Sequence, residues 1–429
     1  MPDLLKLATA GSVDDGKSTL VGRLLYDTKS VLADQMEAVE RATQGGGDPD
    51  LSLLVDGLRS EREQGITIDV AYRYFATPNR SFVLADTPGH VQYTRNTVTG
   101  ASTAALAVLL VDARAGIVEQ TRRHVAVMAL LRVPRLVLAV NKMDLVDHDE
   151  NTYWRIAKEF FGLTGALGYA DEDVVAIPLS AKKGDNVVLR SENTPWYEGP
   201  TLLEHLESVP VAGADHSAPL RFPVQYVVRP RTESHPDYRG YAGLVAAGTV
   251  RAGDEVMVLP DGQRTRVEGI DTFDGELDTA HDGQSVVLRL ADDLGIARGA
   301  VIAAPGAPEP VTEFDATLAW LHEKPLKPGA RLLLKHGTRT VQAIVSAVTH
   351  RLDTETLTLD EDPGELAIND MGQVSLTVSE PLPLDDYDVV AATGSFLLVD
   401  PQAGDTLGAG LVGRPLVTRP LDLPEADDQ

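Results

Sequence analysis

Apolar residues recur along this chain in two textures, and the change between them divides the sequence. Up to about Leu206, short continuous apolar runs alternate with stretches of helical spacing. Residues 4–10, 81–85, 105–111, 135–140 and 176–179 read as buried strands, each too short for a helix and bounded by polar turns. A further strand is expected over 67–75. Leu20, Val21, Leu24 and Leu25 recur at helical spacing, as do Leu32, Met36 and Val39 within 30–44, and Leu51, Leu54 and Leu58 within 51–63. The run Gly45-Gly46-Gly47-Asp48-Pro49 ends the second of these helices. Alternation of this kind predicts a doubly wound α/β domain over residues 1–210. Its mostly parallel sheet places a ligand site at the carboxyl ends of the strands.

Residues 208–219 are small, polar and proline-containing, and read as a linker. Beyond them apolar positions repeat every second residue. Val256/Val258, Val286/Leu288, and Leu357/Leu359 with Thr354, Thr356 and Thr358 show this period. Turn signals at Gly253-Asp254, Pro260-Asp261-Gly262, Asp274-Gly275 and His336-Gly337 punctuate it. The second half is therefore expected to be all-β. The proline-rich break at 305–310 divides it into two small barrels, 217–306 and 311–418, more economical than one large sheet. Residues 419–429 form an acidic tail with the composition of a disordered segment.

The chemistry sits in the turns after the strands. Gly11-Ser12-Val13-Asp14-Asp15-Gly16-Lys17-Ser18, followed by Thr19, fits G-x-x-x-x-G-K-[ST] between a strand and a helix. Two glycines let the backbone wrap a phosphate, with loop N–H groups and the helix N-terminus supplying positive potential. Lys17 then reaches the β- and γ-phosphates, and the Ser18 hydroxyl is placed to ligate Mg2+. After residues 81–85 comes Asp86-Thr87-Pro88-Gly89-His90. A carboxylate at a strand end can hold Mg2+ through water while the Gly89 N–H faces a γ-phosphate. By itself D-x-x-G is an ordinary turn; its spacing behind a phosphate loop gives it weight. Asn141-Lys142-Met143-Asp144, at another strand end, reads guanine. The Asp144 carboxylate can accept from N1–H and the 2-amino group, which adenine cannot match, while Lys142 packs over the ring. Ser180-Ala181-Lys182 then offers backbone N–H groups to guanine O6. Four signals in this order make the nucleotide GTP rather than ATP.

Composition narrows the setting. The 38 Lys+Arg against 64 Asp+Glu leave a net charge of −26, which repels polyanions, since nucleic-acid affinity rests largely on cations neutralising phosphates. The absence of cysteine suits the cytoplasm and excludes disulfide or thiolate chemistry. No apolar run approaches the ~18 residues that span a bilayer, and no secretory leader pattern is present. A cytoplasmic protein with neither membrane nor nucleic-acid partner is expected.

At Glu61-Arg62-Glu63-Gln64-Gly65-Ile66-Thr67-Ile68-Asp69, with Asp14 in the loop and His90 after the D-T-P-G turn, the chain resembles the translation-factor superclass of GTPases. Phe222-Pro223-Val224 and Arg239-Gly240-Tyr241-Ala242-Gly243 fall in its first barrel. The loop 11–19, Asp56-Gly57-Leu58, Asp69-Val70-Ala71-Tyr72-Arg73-Tyr74-Phe75 and Gln92-Tyr93-Thr94-Arg95-Asn96 narrow the resemblance to the large, GTPase subunit of bacterial sulfate adenylyltransferase. Elongation-factor relatives usually carry histidines where Ser12 and Asp15 stand. The resemblance implies GTP hydrolysis coupled to synthesis of adenosine 5′-phosphosulfate and pyrophosphate from ATP and sulfate.

It also implies roles. Lys17 grips the phosphates, Ser18 and Thr67 bind Mg2+, and Asp86 holds the metal through water. Thr67 lies in a segment that orders around a γ-phosphate. Gly89 senses that phosphate, His90 orients the attacking water, and Asp14 helps position a monovalent cation or a loop amide. A separate small subunit is implied to carry the ATP and sulfate site. In agreement, the sequence has no H-x-G-H and no S-G-G-x-D-S, and none of its ten histidines lies three or four residues from another. No second G-x-x-x-x-G-K-[ST] occurs, so the adenylylsulfate kinase activity that some family members carry is not expected. The alternatives are an elongation-factor-like translational GTPase binding tRNA and a signalling GTPase. The acidic balance weakens the first, and the barrels are unexplained by the second.

Overall fold

The computed structural model describes residues 3–31, 51–54, 70–90, 94–210, 218–230 and 238–413. These form two compact units, the first built on Met1–Val211 and the second on Ala212–Leu352 with Leu359–Leu416.

The first unit holds a six-stranded sheet. Its strands are β1 (Asp3–Gly11), β2 (Ala71–Ala76), β3 (Arg80–Asp86), β4 (Leu106–Asp112), β5 (Leu136–Asn141) and β6 (Val174–Pro178), in the order β2-β3-β1-β4-β5-β6. Only the β2–β3 pair is antiparallel; β3-β1-β4-β5-β6 run parallel. Every residue of β4 and β5 is buried, which is why their sequences are unbroken apolar runs instead of alternating ones. Parallel pairing brings the motif-bearing strand ends to one edge. Thr9 is in register with Asp86, Asp112 with Asn141, and Val140 with Pro178.

Among the described residues five helices accompany the sheet: α1 (Lys17–Asp27), α2 (Thr94–Ala101), α3 (Glu119–Leu130), α4 (Glu150–Ala166) and α5 (Leu202–Ser208). The apolar stripe of α1, Leu20, Val21, Leu24 and Leu25, is buried as its spacing requires. The helix expected over 30–44 lies outside the described residues. Of the one expected over 51–63, residues Leu51–Leu54 form a single 3-10 turn and the rest lies outside them. That turn lies against Gly22 of α1, where any Cβ would collide with the Leu51 carbonyl. The strand expected from residue 67 is seen as Ala71–Ala76, so Thr67 also falls outside the described residues.

The second unit contains two closed six-stranded barrels. In hydrogen-bonding order the first runs Glu255–Leu259, Val301–Ala303, Arg221–Val228, Gly240–Leu244, Ser285–Leu290 and Gln263–Thr272, which pairs back onto the start. The second runs Arg331–His336, Ser395–Val399, Thr406–Val412, Val311–Trp320, Met371–Leu382 and Arg339–Leu352, closing likewise. Closure removes the exposed edges of an open sheet. Each barrel has its own core, one around Phe222, Tyr241 and Ile270, the other around Trp320, Leu376 and Phe396. Val256, Val258, Val286 and Leu288 point inward as their alternation predicts. The alternation over 354–358 does not make a strand. The Asp353 carboxylate accepts from the Glu355 and Thr356 N–H groups at 2.8 and 3.1 Å, and a turn forms before the short strand Leu359–Glu361.

The two barrels are joined by a buried ion pair. Arg221 of the first donates to both Asp385 oxygens of the second at 2.8 Å, and the Thr393 hydroxyl donates to the same carboxylate at 2.5 Å.

Candidate functional site

The phosphate loop between β1 and α1 is held open by its own backbone. Gly11, Asp14 and Gly16 take φ of 155°, 67° and 93°. A Cβ on Gly16 would strike the Asn141 amide, so that position admits little besides glycine. Inside the loop the buried Lys17 ammonium donates to the Gly11 and Ser12 carbonyls, both at 2.8 Å. Burial pulls its pKa below the ordinary lysine value, opposed by Asp86, Asp15 and Asp14. A dehydrated cation held by two carbonyls is suited to exchange them for phosphate oxygens. The Asp15 carboxylate accepts the Ser12 N–H at 2.5 Å and is itself buried. Burial raises its pKa, partly offset by that bond and by Lys17.

The base end is organised by Asn141 at the carboxyl end of β5. Its Nδ2 donates to the Asp15 carbonyl at 2.7 Å, while its Oδ1 accepts from Lys142 N–H at 2.8 Å and Ala181 N–H at 2.9 Å. One buried amide thus ties the phosphate loop, the 141–144 turn and the 180–182 loop together. Lys142 turns with φ of 64°, and its ammonium donates to the Asp14 carbonyl at 2.5 Å and to Asp112 at 3.0 Å. A cavity of about 440 Å³ opens beside this junction, lined by Thr19, Arg23, Leu51, Lys142, Asp144 and Ala181 among others. Asp144 and the 180–182 loop therefore face one space, as guanine recognition requires. Of the 180–182 backbone N–H groups expected at O6, that of Ser180 donates to the Asp185 carbonyl at 3.2 Å and that of Ala181 to Asn141.

At the phosphate end, Asp86 is fully buried at the tip of β3, and the Thr9 hydroxyl donates to its Oδ1 at 2.7 Å. Gly89 approaches the phosphate loop so closely that a Cβ would collide with the Lys17 ammonium and stand 2.7 Å from the Gly11 carbonyl. The D-T-P-G turn and the phosphate loop are thus one surface. Ser18, the second residue of α1, and Asp86 offer one hydroxyl and one carboxylate. That hard-oxygen pair fits Mg2+ bound mainly through phosphate and water. His90 is exposed beside Gly89. Thr67, the remaining metal and switch residue expected from the sequence, lies outside the described residues.

Two contributors carry no motif. Asp112, ending β4, takes a two-point hydrogen bond from Arg114 at 3.0 and 2.6 Å as well as the Lys142 bond. Although burial acts to raise its pKa, these partners hold the carboxyl well below the usual range. An acidic residue at the end of the strand beside Asn141 was the only available signal. Arg23, on α1, has none: the carbonyls that it holds in the 180–182 loop lie more than 150 residues away.

Residues 2–211 match the elongation factor Tu GTP binding domain family, and 313–413 match the GTP-eEF1A C-terminal domain-like family. The chain is 53% identical over 423 residues to the bifunctional enzyme CysN/CysC of Mycobacterium tuberculosis, covering 98% of this chain and 69% of that protein. It is 50% identical over 418 residues to sulfate adenylyltransferase subunit 1 of Methylorubrum extorquens, covering 96% and 87%. The chain belongs to the sulfate adenylyltransferase subunit 1 family. A third relative, subunit 1 of Tolumonas auensis, is 47% identical over 414 residues. Subunit 1 membership accounts for a GTPase domain of translation-factor type followed by barrels, and favours sulfate activation over the elongation-factor alternative. No helix among the described residues is long and apolar enough to cross a membrane.

Proposed function

We propose that this chain is the GTP-hydrolysing subunit of a sulfate adenylyltransferase. In this reading, GTP turnover is coupled to formation of adenosine 5′-phosphosulfate and pyrophosphate from ATP and sulfate. The observation that carries it is the Asn141 junction beside a cavity faced by Asp144, in a chain half-identical to a protein named as that subunit. The relatives' names support a partner subunit, which we take to be a small catalytic chain holding ATP and sulfate in the cytoplasm.

The residues divide the work. Asp144 selects guanine and Asn141 keeps the base loops on the phosphate loop. Lys17 leaves the Gly11 and Ser12 carbonyls for the β- and γ-phosphate oxygens. The Gly89 N–H registers the γ-phosphate, and His90 orients the attacking water. Ser18, Thr67 and Asp86 hold Mg2+, which when bound neutralises charge on the phosphate oxygens. Adenylylation of sulfate is uphill because it makes a mixed anhydride, so coupling it to a hydrolysis is chemically sensible. A switch drives its partner only through differential affinity for GTP. Moving an equilibrium from 1:99 to 99:1 requires about 5.5 kcal/mol.

Purification of the chain with its small subunit tests this. Pyrophosphate release should require ATP and sulfate and rise with GTP, and Lys17→Ala should abolish only the rise. GTP-dependent tRNA affinity with a steep salt slope, without sulfate-dependent pyrophosphate release, would instead establish the translational reading.

A further inference from the structure

Arg23 joins the helix that follows the phosphate loop to the loop that faces the base. It stands on α1 one helical turn beyond Thr19, and both line the cavity beside Asp144. Its Nε donates to the Ala181 carbonyl at 3.2 Å and its Nη2 to the Lys182 carbonyl at 2.6 Å. The guanidinium is fixed from behind by Asp27, 3.5 Å from Nη1, and lies over the Tyr26 ring at 5.8 Å from its centroid. A planar fork therefore captures two successive carbonyls, an arrangement a lysine cannot reproduce.

A trans peptide points its C=O and N–H to opposite edges. Fixing the 181–182 and 182–183 carbonyls toward Arg23 turns the Lys182 and Lys183 N–H groups away from it. The Lys183 N–H is satisfied by Ser180 Oγ at 3.2 Å. The Ala181 N–H is held by Asn141. Asn141 and Arg23 thus grip the loop from two sides and set the orientation of its N–H edge.

We infer that Arg23 is a positioning residue for guanine recognition. By holding the Ala181 and Lys182 carbonyls it presents the Lys182 N–H to O6, while Asp144 reads the opposite, N1 and 2-amino, side. The inference rests on the guanine-site reading, and the two fail differently.

Three nucleotides separate the contacts. GTP presents O6, N1–H and the 2-amino group, inosine triphosphate presents O6 and N1–H, and 2-aminopurine riboside triphosphate presents the 2-amino group alone. Their affinities are measured by calorimetry on wild type, Arg23→Ala and Arg23→Lys, each with its thermal unfolding followed. In Arg23→Ala, GTP and inosine triphosphate should each weaken about tenfold, as loss of a charge-assisted anchor implies. The 2-aminopurine nucleotide should weaken far less. Arg23→Lys should recover part of the loss, because one carbonyl can still be reached. Equal weakening of all three nucleotides would reduce Arg23 to a structural residue and overturn the inference, as would no weakening. A wild type that binds ATP as well as GTP would overturn the guanine reading itself.

Discussion

Asn141 and Asp144 sit three residues apart and do different work, so single substitutions should separate recognition from architecture. Asp144→Asn replaces a charged double acceptor with one that can pair with a 2-oxo purine. GTP affinity should fall about 100-fold or more, since two charge-assisted hydrogen bonds are lost, and xanthosine triphosphate should bind better than GTP. Competition against a fluorescent nucleotide checks this; retained GTP preference would remove Asp144 from base recognition. Asn141→Ala leaves the buried Asp15 carbonyl and the Ala181 N–H without their partner. It should therefore cost about 2–4 kcal/mol in urea unfolding of the nucleotide-free protein, as well as weakening every nucleotide. Motif residues were legible because phosphate and guanine chemistry demand particular side chains at strand ends. Asp112 and Arg23 were not, because the contacts that bring them to the site, Asp112 with Lys142 and Arg23 with the 181 and 182 carbonyls, are set by the pairing of β4 with β5 and the packing of α1, neither of which has a local pattern.

At the scale of elements, α3 carries the buried histidine of the first unit. His124 is wholly enclosed, and burial, with Lys17 and Arg123 adding to it, lowers its pKa to about 3. Its Nε2 lies 3.0 Å from Gln120 Nε2. The unfolded chain takes up a proton near its ordinary value of about 6.5, where the native chain does not, so stability falls as pH drops from that value toward the folded one. Between pH 7 and pH 5 the loss should be about 2 kcal/mol. His124→Gln should remove that part of the slope in urea melts at the two pH values, and an unchanged slope would show that His124 is not its source. On α1, Gly22→Ala should destabilise despite alanine's better helix propensity of about 1 kcal/mol. The collision with the Leu51 carbonyl costs about 1–3 kcal/mol of overpacking and disturbs a wall of the base cavity. Equilibrium unfolding decides it: a gain in stability would mean that the Leu51 turn yields freely. The strands of the first unit were legible as apolar runs because both faces of a parallel sheet are covered. The repeat over 354–358 misled because the Asp353 side chain offers the backbone a turn that alternation cannot reveal.

At the scale of the molecule, the second unit is two barrels with separate cores, joined among other contacts by a buried charge pair. Asp385→Ala strands the Arg221 guanidinium, buried to within 4% exposure, and should cost about 3–5 kcal/mol. Arg221→Met with Asp385→Leu should restore much of that loss, because replacing both charges removes the desolvation penalty along with the attraction. Thermal unfolding of the single and double variants tests it; equal damage in both would place the contribution in packing instead of charge. Closed barrels were foreseeable from short alternating runs between turn signals, but the ion pair joins positions 164 apart and no periodicity marks it. The net charge of −26 repels polyanions. The proposed function rests on one coupling above all, between GTP hydrolysis and sulfate adenylylation. In the complex with the small subunit, GTP consumed and adenosine 5′-phosphosulfate formed are measured together at fixed ATP and sulfate. Coupling predicts that GTP drives the product beyond its GTP-free equilibrium, in constant proportion to GTP hydrolysed, and that a non-hydrolysable GTP analogue leaves that equilibrium unmoved. Product formation indifferent to GTP, or hydrolysis that proceeds at the same rate without ATP and sulfate, would contradict it.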